Sequence, residues 1–163
     1  MQLEDHKEIQ IDGRELKISI ILPYFNEELG KELLANTEEE LMRNGVKAEN
    51  IDVIRVAGTL ETPFAAQKII ETVKPDAVIV LGIVIRGETS HYDLVVETTH
   101  QGLMKIQLDC KTPIAFGILA CENQKQAQER VDKNGLNKGK GAAIAALIQT
   151  QLGNYEHSQT SLS

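Results

Sequence analysis

Residues 76–93 read DAVIVLGIVIRGETSHYD. From Ala77 to Ile85 the side chains are apolar or β-branched with only Gly82 between them, and no polar residue alternates in. Such a run suits a strand covered on both faces, as in a parallel sheet, so it is expected to form the sheet centre. At Arg86-Gly87 the run stops, and Glu88-Thr89-Ser90-His91 leads into helical spacing. In open parallel α/β sheets ligands bind at the carboxyl ends of the strands, and a Gly-led loop opening a helix presents free backbone N–H groups to an anion. A phosphorylated small molecule is the ligand this pattern predicts.

Outward from this stretch the same plan repeats. Leu16 to Leu22 is expected as a strand closed by Pro23, followed by Tyr24-Phe25-Asn26 and a helix carrying Leu29, Leu33 and Leu41 up to Gly45. Asn26 suits the N-cap, and Glu27 and Glu28 suit the positive first turn. Ile51 to Val56 forms the next strand, with Ala57 to Glu61 as its loop and a helix opening at Thr62-Pro63 and ending near Val73. The third helix starts near Tyr92, where Ser90 and Asp93 have capping-box spacing. Ile114 to Ala120 is the fourth strand, Asn123 caps the helix through Arg130, and a final helix spans roughly 138–152. Strands alternating with helices argue for an α/β sandwich of three layers, helices on both sides of a four-stranded parallel sheet. Residues 1–152 read as one domain, with 1–13 as an N-terminal arm holding a short strand at Glu8 to Ile11, and 153–163 as a disordered polar tail.

The bulk composition narrows the function classes. A single domain of 163 residues buries roughly 70% of its unfolded surface without staples. A net charge of −7 disfavours nucleic acid as a partner, and no apolar stretch is long enough to span a membrane. Cys110 and Cys121 have no metal-binding spacing and read as buried reduced thiols of a cytoplasmic protein. The run Glu38-Glu39-Glu40 reads as a solvated helix face, and His6, His100 and His157 as surface residues.

Six segments in register resemble one family. GIVIRGETSHYD (82–93) is similar to the G-x-V-I-x-G-x-T-x-H-[FY] signature of 6,7-dimethyl-8-ribityllumazine synthases. Phe25-Asn26, Val56 to Pro63, Pro113 to Gly117, Gln126 to Arg130 and Asn137-Lys138-Gly139 resemble the family at the matching places, so the likeness covers about residues 16–152. It implies a flavodoxin-like fold and a reaction needing no metal and no cofactor. In that reaction 5-amino-6-(D-ribitylamino)uracil condenses with 3,4-dihydroxy-2-butanone 4-phosphate to give the lumazine, phosphate and water, through a Schiff base, phosphate elimination and ring closure. An imidazole suits such proton transfers, and the resemblance gives that role to His91. It assigns Phe25, Asn26, Thr59, Leu60, Glu61, Ile83, Val84 and Ile85 to the pyrimidine and its ribityl chain, with Phe116 closing the ring from a neighbouring subunit. The phosphate falls to the loop with Gly87, Glu88 and Thr89 and to the cation Arg130, with Lys138 as a second cation.

The same resemblance implies homopentamers, some built into icosahedral shells of twelve pentamers. Ala57 replaces a common proline, Leu60 a usual aromatic, and Gly141 stands where many members carry a glutamate behind the histidine. Those departures motivate an alternative reading as a weakly active or inactive self-assembling shell protein of the same family. A riboflavin synthase of the archaeal type and a flavodoxin-like mononucleotide binder are further readings, the first disfavoured by the intact His91 loop.

Overall fold

The computed structural model describes residues 10–152. Four strands, β1 (Ile18–Pro23), β2 (Ile51–Val56), β3 (Ala77–Ile85) and β4 (Ile114–Cys121), form one sheet in the order β2-β1-β3-β4. Every pairing is parallel, with Ile18 opposite Ile51 on one side and Ala77 on the other, and Val78 opposite Ile114. The helices are α1 (Glu27–Arg43), α2 (Thr62–Thr72), α3 (His91–Cys110), α4 (Gln124–Val131) and α5 (Lys138–Gln151).

Strand alternation divides the apolar side chains between two cores. Ile18, Ile20, Leu22, Ala77, Ile79 and Leu81 pack with Leu33 and Leu41 of α1, Ala127 and Val131 of α4 and Ala143 and Leu147 of α5. On the opposite face Ile21, Val78, Val80 and Ile114 pack with Ala66, Ile69 and Ile70 of α2 and Leu103 of α3. The central strand is therefore buried on both sides, as its unbroken apolar run requires. The expected three-layer α/β sandwich around a four-stranded parallel sheet is what forms.

Local sequence explains most of the boundaries. Helix α1 ends where Gly45 takes φ 91°, which only glycine adopts cheaply. Its N–H donates to Met42 O while that of Val46 donates to Leu41 O, a Schellman closure. Asn123 caps α4 through its side chain as expected, and Asn137 does the same for α5 by accepting from Lys140 N.

Other expectations need correction. β1 starts at Ile18 rather than Leu16, and it ends at Pro23, which is its last residue, opposite Val56, where the missing N–H costs no central ladder bond. Asn26 and Ser90 sit at N-cap positions yet make no side-chain cap bond. Glu40 is not on a solvated face: it is buried, with its carboxylate 2.6 Å from the Arg43 guanidinium. His100 is half-buried, its Nδ1 2.7 Å from Val96 O and its ring edge-on to Phe116 at 5.6 Å. Gln10 and Ile11 carry no strand, and Ile11 N donates instead to Asn44 Oδ1. Residues 1–9 of the expected arm, the tail, His6 and His157 lie outside the described residues.

Candidate active site

The strand order reverses between β1 and β3, and their ladder ends at Ile21 opposite Val80. Beyond that point the two strands diverge, and a cavity of about 360 Å³ opens between their carboxyl ends. Its lining is Phe25 and Asn26 after β1, Gly58 to Glu61 after β2, Ile83 to Ile85 of β3, and His91 and Val95 of α3. This is the switch-point crevice where open α/β sheets bind ligands.

Each wall has a local cause. Asn26 takes a left-handed backbone, φ 57° and ψ 50°, and its Nδ2 donates to Ile83 O at 2.9 Å. That bond bridges β1 and β3 just where their ladder has stopped. Phe25 is 72% exposed at the rim, and Leu60 is 42% exposed opposite it. A Cβ on Gly58 would stand 3.5 Å from the Phe25 ring and 3.0 Å from Glu61 Oε2, so the glycine lets ring and carboxylate approach the β2 loop. Behind Phe25, Arg55 holds the loop by pairing with Glu27, donating to Leu22 O and lying 4.2 Å over the Tyr24 ring. The Arg55 hydrogen bond keeps the Glu27 carboxyl below the usual range.

His91 begins α3 and is exposed at the cavity mouth, its N–H donating to Thr89 Oγ1 at 3.3 Å. Gly87, Glu88 and Thr89 precede it as exposed loop, and none of them lines the cavity. Arg86, the cation next to this loop, is occupied: Glu122 and Asp93 both pair with it.

The remaining expected residues lie elsewhere on the chain. Phe116, Arg130 and Lys138 line a second cavity of about 560 Å³, bounded by the outer strand β4, the segment from Leu136 to Lys138 and α5. Lys140 joins them, no carboxylate takes part, and no residue lines both cavities. Arg130 Nη1 donates to Gln126 O at 3.2 Å. Burial raises the pKa of the Cys121 thiol, an effect the Arg130 charge partly opposes. Gly141 also lines this second cavity, and a Cβ there would meet nothing within 4 Å. Sequence reasoning missed Arg86, Lys140 and the Phe116–His100 contact; Glu122 lies 36 residues from Arg86, the Phe116–His100 contact joins β4 to α3, and Lys140 matches no motif.

A family model described as 6,7-dimethyl-8-ribityllumazine synthase matches residues 15–153. The chain is also 39% identical over 137 residues to a protein of Leuconostoc mesenteroides named 6,7-dimethyl-8-ribityllumazine synthase, an alignment covering 84% of this chain and 88% of that protein. No helix among the described residues is long and apolar enough to cross a membrane. A match that takes in every strand and helix around the switch-point crevice leaves one assignment, and this chain belongs to the 6,7-dimethyl-8-ribityllumazine synthase family.

Proposed function

We propose that this chain is a cytoplasmic lumazine synthase of riboflavin biosynthesis. It condenses 5-amino-6-(D-ribitylamino)uracil with 3,4-dihydroxy-2-butanone 4-phosphate to 6,7-dimethyl-8-ribityllumazine, phosphate and water. The observation that carries this reading is that Phe25, Asn26, Thr59, Leu60, Glu61, Ile83, Val84, Ile85 and His91, drawn from four separate segments, line one crevice at the sheet switch point.

In that crevice Phe25 stacks on the pyrimidine, and the β2 loop with Ile83 to Ile85 holds the ring and ribityl chain. The primary amine of the pyrimidine attacks the butanone carbonyl and a first water leaves as the imine forms. Elimination of phosphate then unmasks a second carbonyl, to which the ribitylamino nitrogen adds, and loss of a second water closes the ring. His91 at the mouth moves the protons these steps require, while the walls hold the two substrates in reacting order. No step needs an electron donor or acceptor. Neither a metal nor a cofactor has a part in this scheme.

The phosphate needs a cation, and the loop of Gly87, Glu88 and Thr89 has none to spare. Arg86 is shared between two carboxylates and Glu88 adds a further negative charge. Arg130, with Lys138 beside it, lines the other cavity. A complete site therefore joins the crevice of one copy to the Phe116, Arg130 and Lys138 cavity of the next, in a homopentamer.

The test is to mix the purified protein with both substrates and follow the lumazine absorbance against a control without protein. His91→Ala should lower the rate by roughly 100-fold, the scale of a lost acid-base group, with the assembly unchanged by light scattering. Full turnover in that variant would remove His91 from the chemistry, and no turnover by the wild type would refute the proposal.

A further inference from the structure

Arg86 makes a junction that none of the assigned roles uses. Its backbone N–H donates to Cys121 O at 2.9 Å, carrying the β3–β4 ladder one residue past β3. Its guanidinium reaches Glu122 Oε2 at 2.8 Å, just beyond β4, and Asp93 Oδ2 at 3.3 Å and Oδ1 at 3.4 Å in the first turn of α3. Its Cζ lies 4.2 Å over the Tyr92 ring. Glu122 is itself fixed, since its N–H donates to Gln126 Oε1 at 2.8 Å. One side chain thus ties the ends of β3 and β4 to the start of the helix that begins with His91.

The loop between has few other tethers. Residues 86–91 are all exposed, and a Cβ on Gly87 would touch nothing within 4 Å. Ser90 makes no side-chain cap bond to α3, and the Asp93 carboxylate turns to Arg86 instead of completing a capping box. The hydrogen bonds that remain are long: His91 N to Thr89 Oγ1 at 3.3 Å and Leu94 N to Ser90 O at 3.4 Å. Exposed ion pairs contribute little to global stability, so this network has small weight as a stability device. A fork donating to two carboxylates while stacked on an aromatic ring is, however, a geometric constraint that lysine cannot reproduce.

We propose that Arg86 is a positioning residue that fixes the 87–91 loop and His91 for the phosphorylated substrate without touching it. The inference rests on the lumazine synthase reading above. With Glu122 and Asp93 both paired to it, the Arg86 charge is already balanced, so it acts through the loop backbone rather than on the phosphate. Loss of the junction lets residues 87–91 wander, which weakens capture of the butanone phosphate and leaves the pyrimidine wall, built from other loops, in place.

The experiment compares wild type with Arg86→Met and Arg86→Lys, reading the KM of each substrate, the melting temperature and hydrogen exchange of the 87–91 amides. Arg86→Met should raise KM for the butanone phosphate roughly 10-fold or more, as expected for a displaced binding loop, with KM for the pyrimidine within about twofold. Its 87–91 amides should exchange faster while the melting temperature moves by only a few degrees. Arg86→Lys should behave like Arg86→Met, because charge alone does not restore the fork. Unchanged exchange in Arg86→Met, or equal rises in both KM values, would overturn the inference. If the wild type itself makes no lumazine, the functional reading fails separately, and the exchange data still decide whether Arg86 orders the loop.

Discussion

Two glycines of α5, two residues apart, should respond to alanine with opposite signs. An ideal Cβ on Gly139 would stand 2.6 Å from Leu33 O, 2.9 Å from Thr37 Oγ1 and 3.1 Å from Thr37 N. Two of these obstacles are α1 backbone. The third cannot swing aside freely, because the buried Thr37 hydroxyl donates to Leu33 O at 2.8 Å. Adding a methyl must therefore part α1 from α5 or strain both, an overpacking cost of about 1–3 kcal/mol. Helix propensity returns less than about 1 kcal/mol so near the helix start. Gly141 has nothing within 4 Å of its Cβ position, so alanine there should keep the gain of about 0.5–1 kcal/mol. At roughly 2–4 °C per kcal/mol for a chain of this size, Gly139→Ala should melt about 2–10 °C below wild type and Gly141→Ala about 1–4 °C above it. Circular dichroism melts at one fixed protein concentration measure both, since assembly makes the midpoint concentration-dependent. A Gly139→Ala protein as stable as wild type would refute the close-approach argument. A Gly141→Ala protein that melts lower would show that the space at 141 is filled in the assembled protein.

Arg130→Ala should raise KM for the butanone phosphate about 10-fold to 100-fold, the scale of a lost charge-assisted hydrogen bond, and leave KM for the pyrimidine nearly unchanged; steady-state kinetics with each substrate varied decide it. Asn26→Ala and Asn26→Gly both lose the Nδ2 bond to Ile83 O, but only glycine accepts φ 57° without strain. Glycine should therefore restore thermal stability relative to alanine while the KM for the pyrimidine stays raised in both, and recovery of that KM in Asn26→Gly would assign the effect to backbone strain. The Asp12 carboxyl, held down to about 2 by the Arg14 side chain and then by the Arg14 N–H, should titrate there by NMR and return toward the ordinary range in Arg14→Ala. Because its folded value is depressed, what it adds to stability is present above about pH 4 and is lost as pH falls toward 2.

The layer architecture was legible because it depends on patterns that neighbouring residues carry. The nine residues of β3 announce a strand buried on both faces, and the apolar runs of β1 and β4 read almost as clearly. What the sequence hid are the places where a side chain takes a partner other than the one its residue type and position suggest. Asn26 has the residue type and position of a cap, yet its amide goes to Ile83, 57 residues away. Asp93 has capping-box spacing from Ser90, yet Arg86 takes it. Glu40 looks like one of three solvated carboxylates, and only the turn of α1 shows that it faces inward toward Arg43 and Asn44. Local preferences of this kind are worth about 1 kcal/mol each, so a single good tertiary hydrogen bond overrides them.

The same competition explains how the crevice is built. Each of its polar loops gives up a local bond: Asn26 leaves α1 without a side-chain cap, and Ser90 leaves α3 likewise. The groups released, the Asn26 amide and the Asp93 carboxylate, instead fasten loop to strand on the two sides of the switch point. An α3 start without a side-chain cap keeps backbone N–H groups available to an anion, where a satisfied cap would occupy them. The helix that begins with His91 is thus anchored through Arg86 rather than through its own cap. That division lets one short loop be held in place and still present open donors, and a phosphate-eliminating condensation needs both.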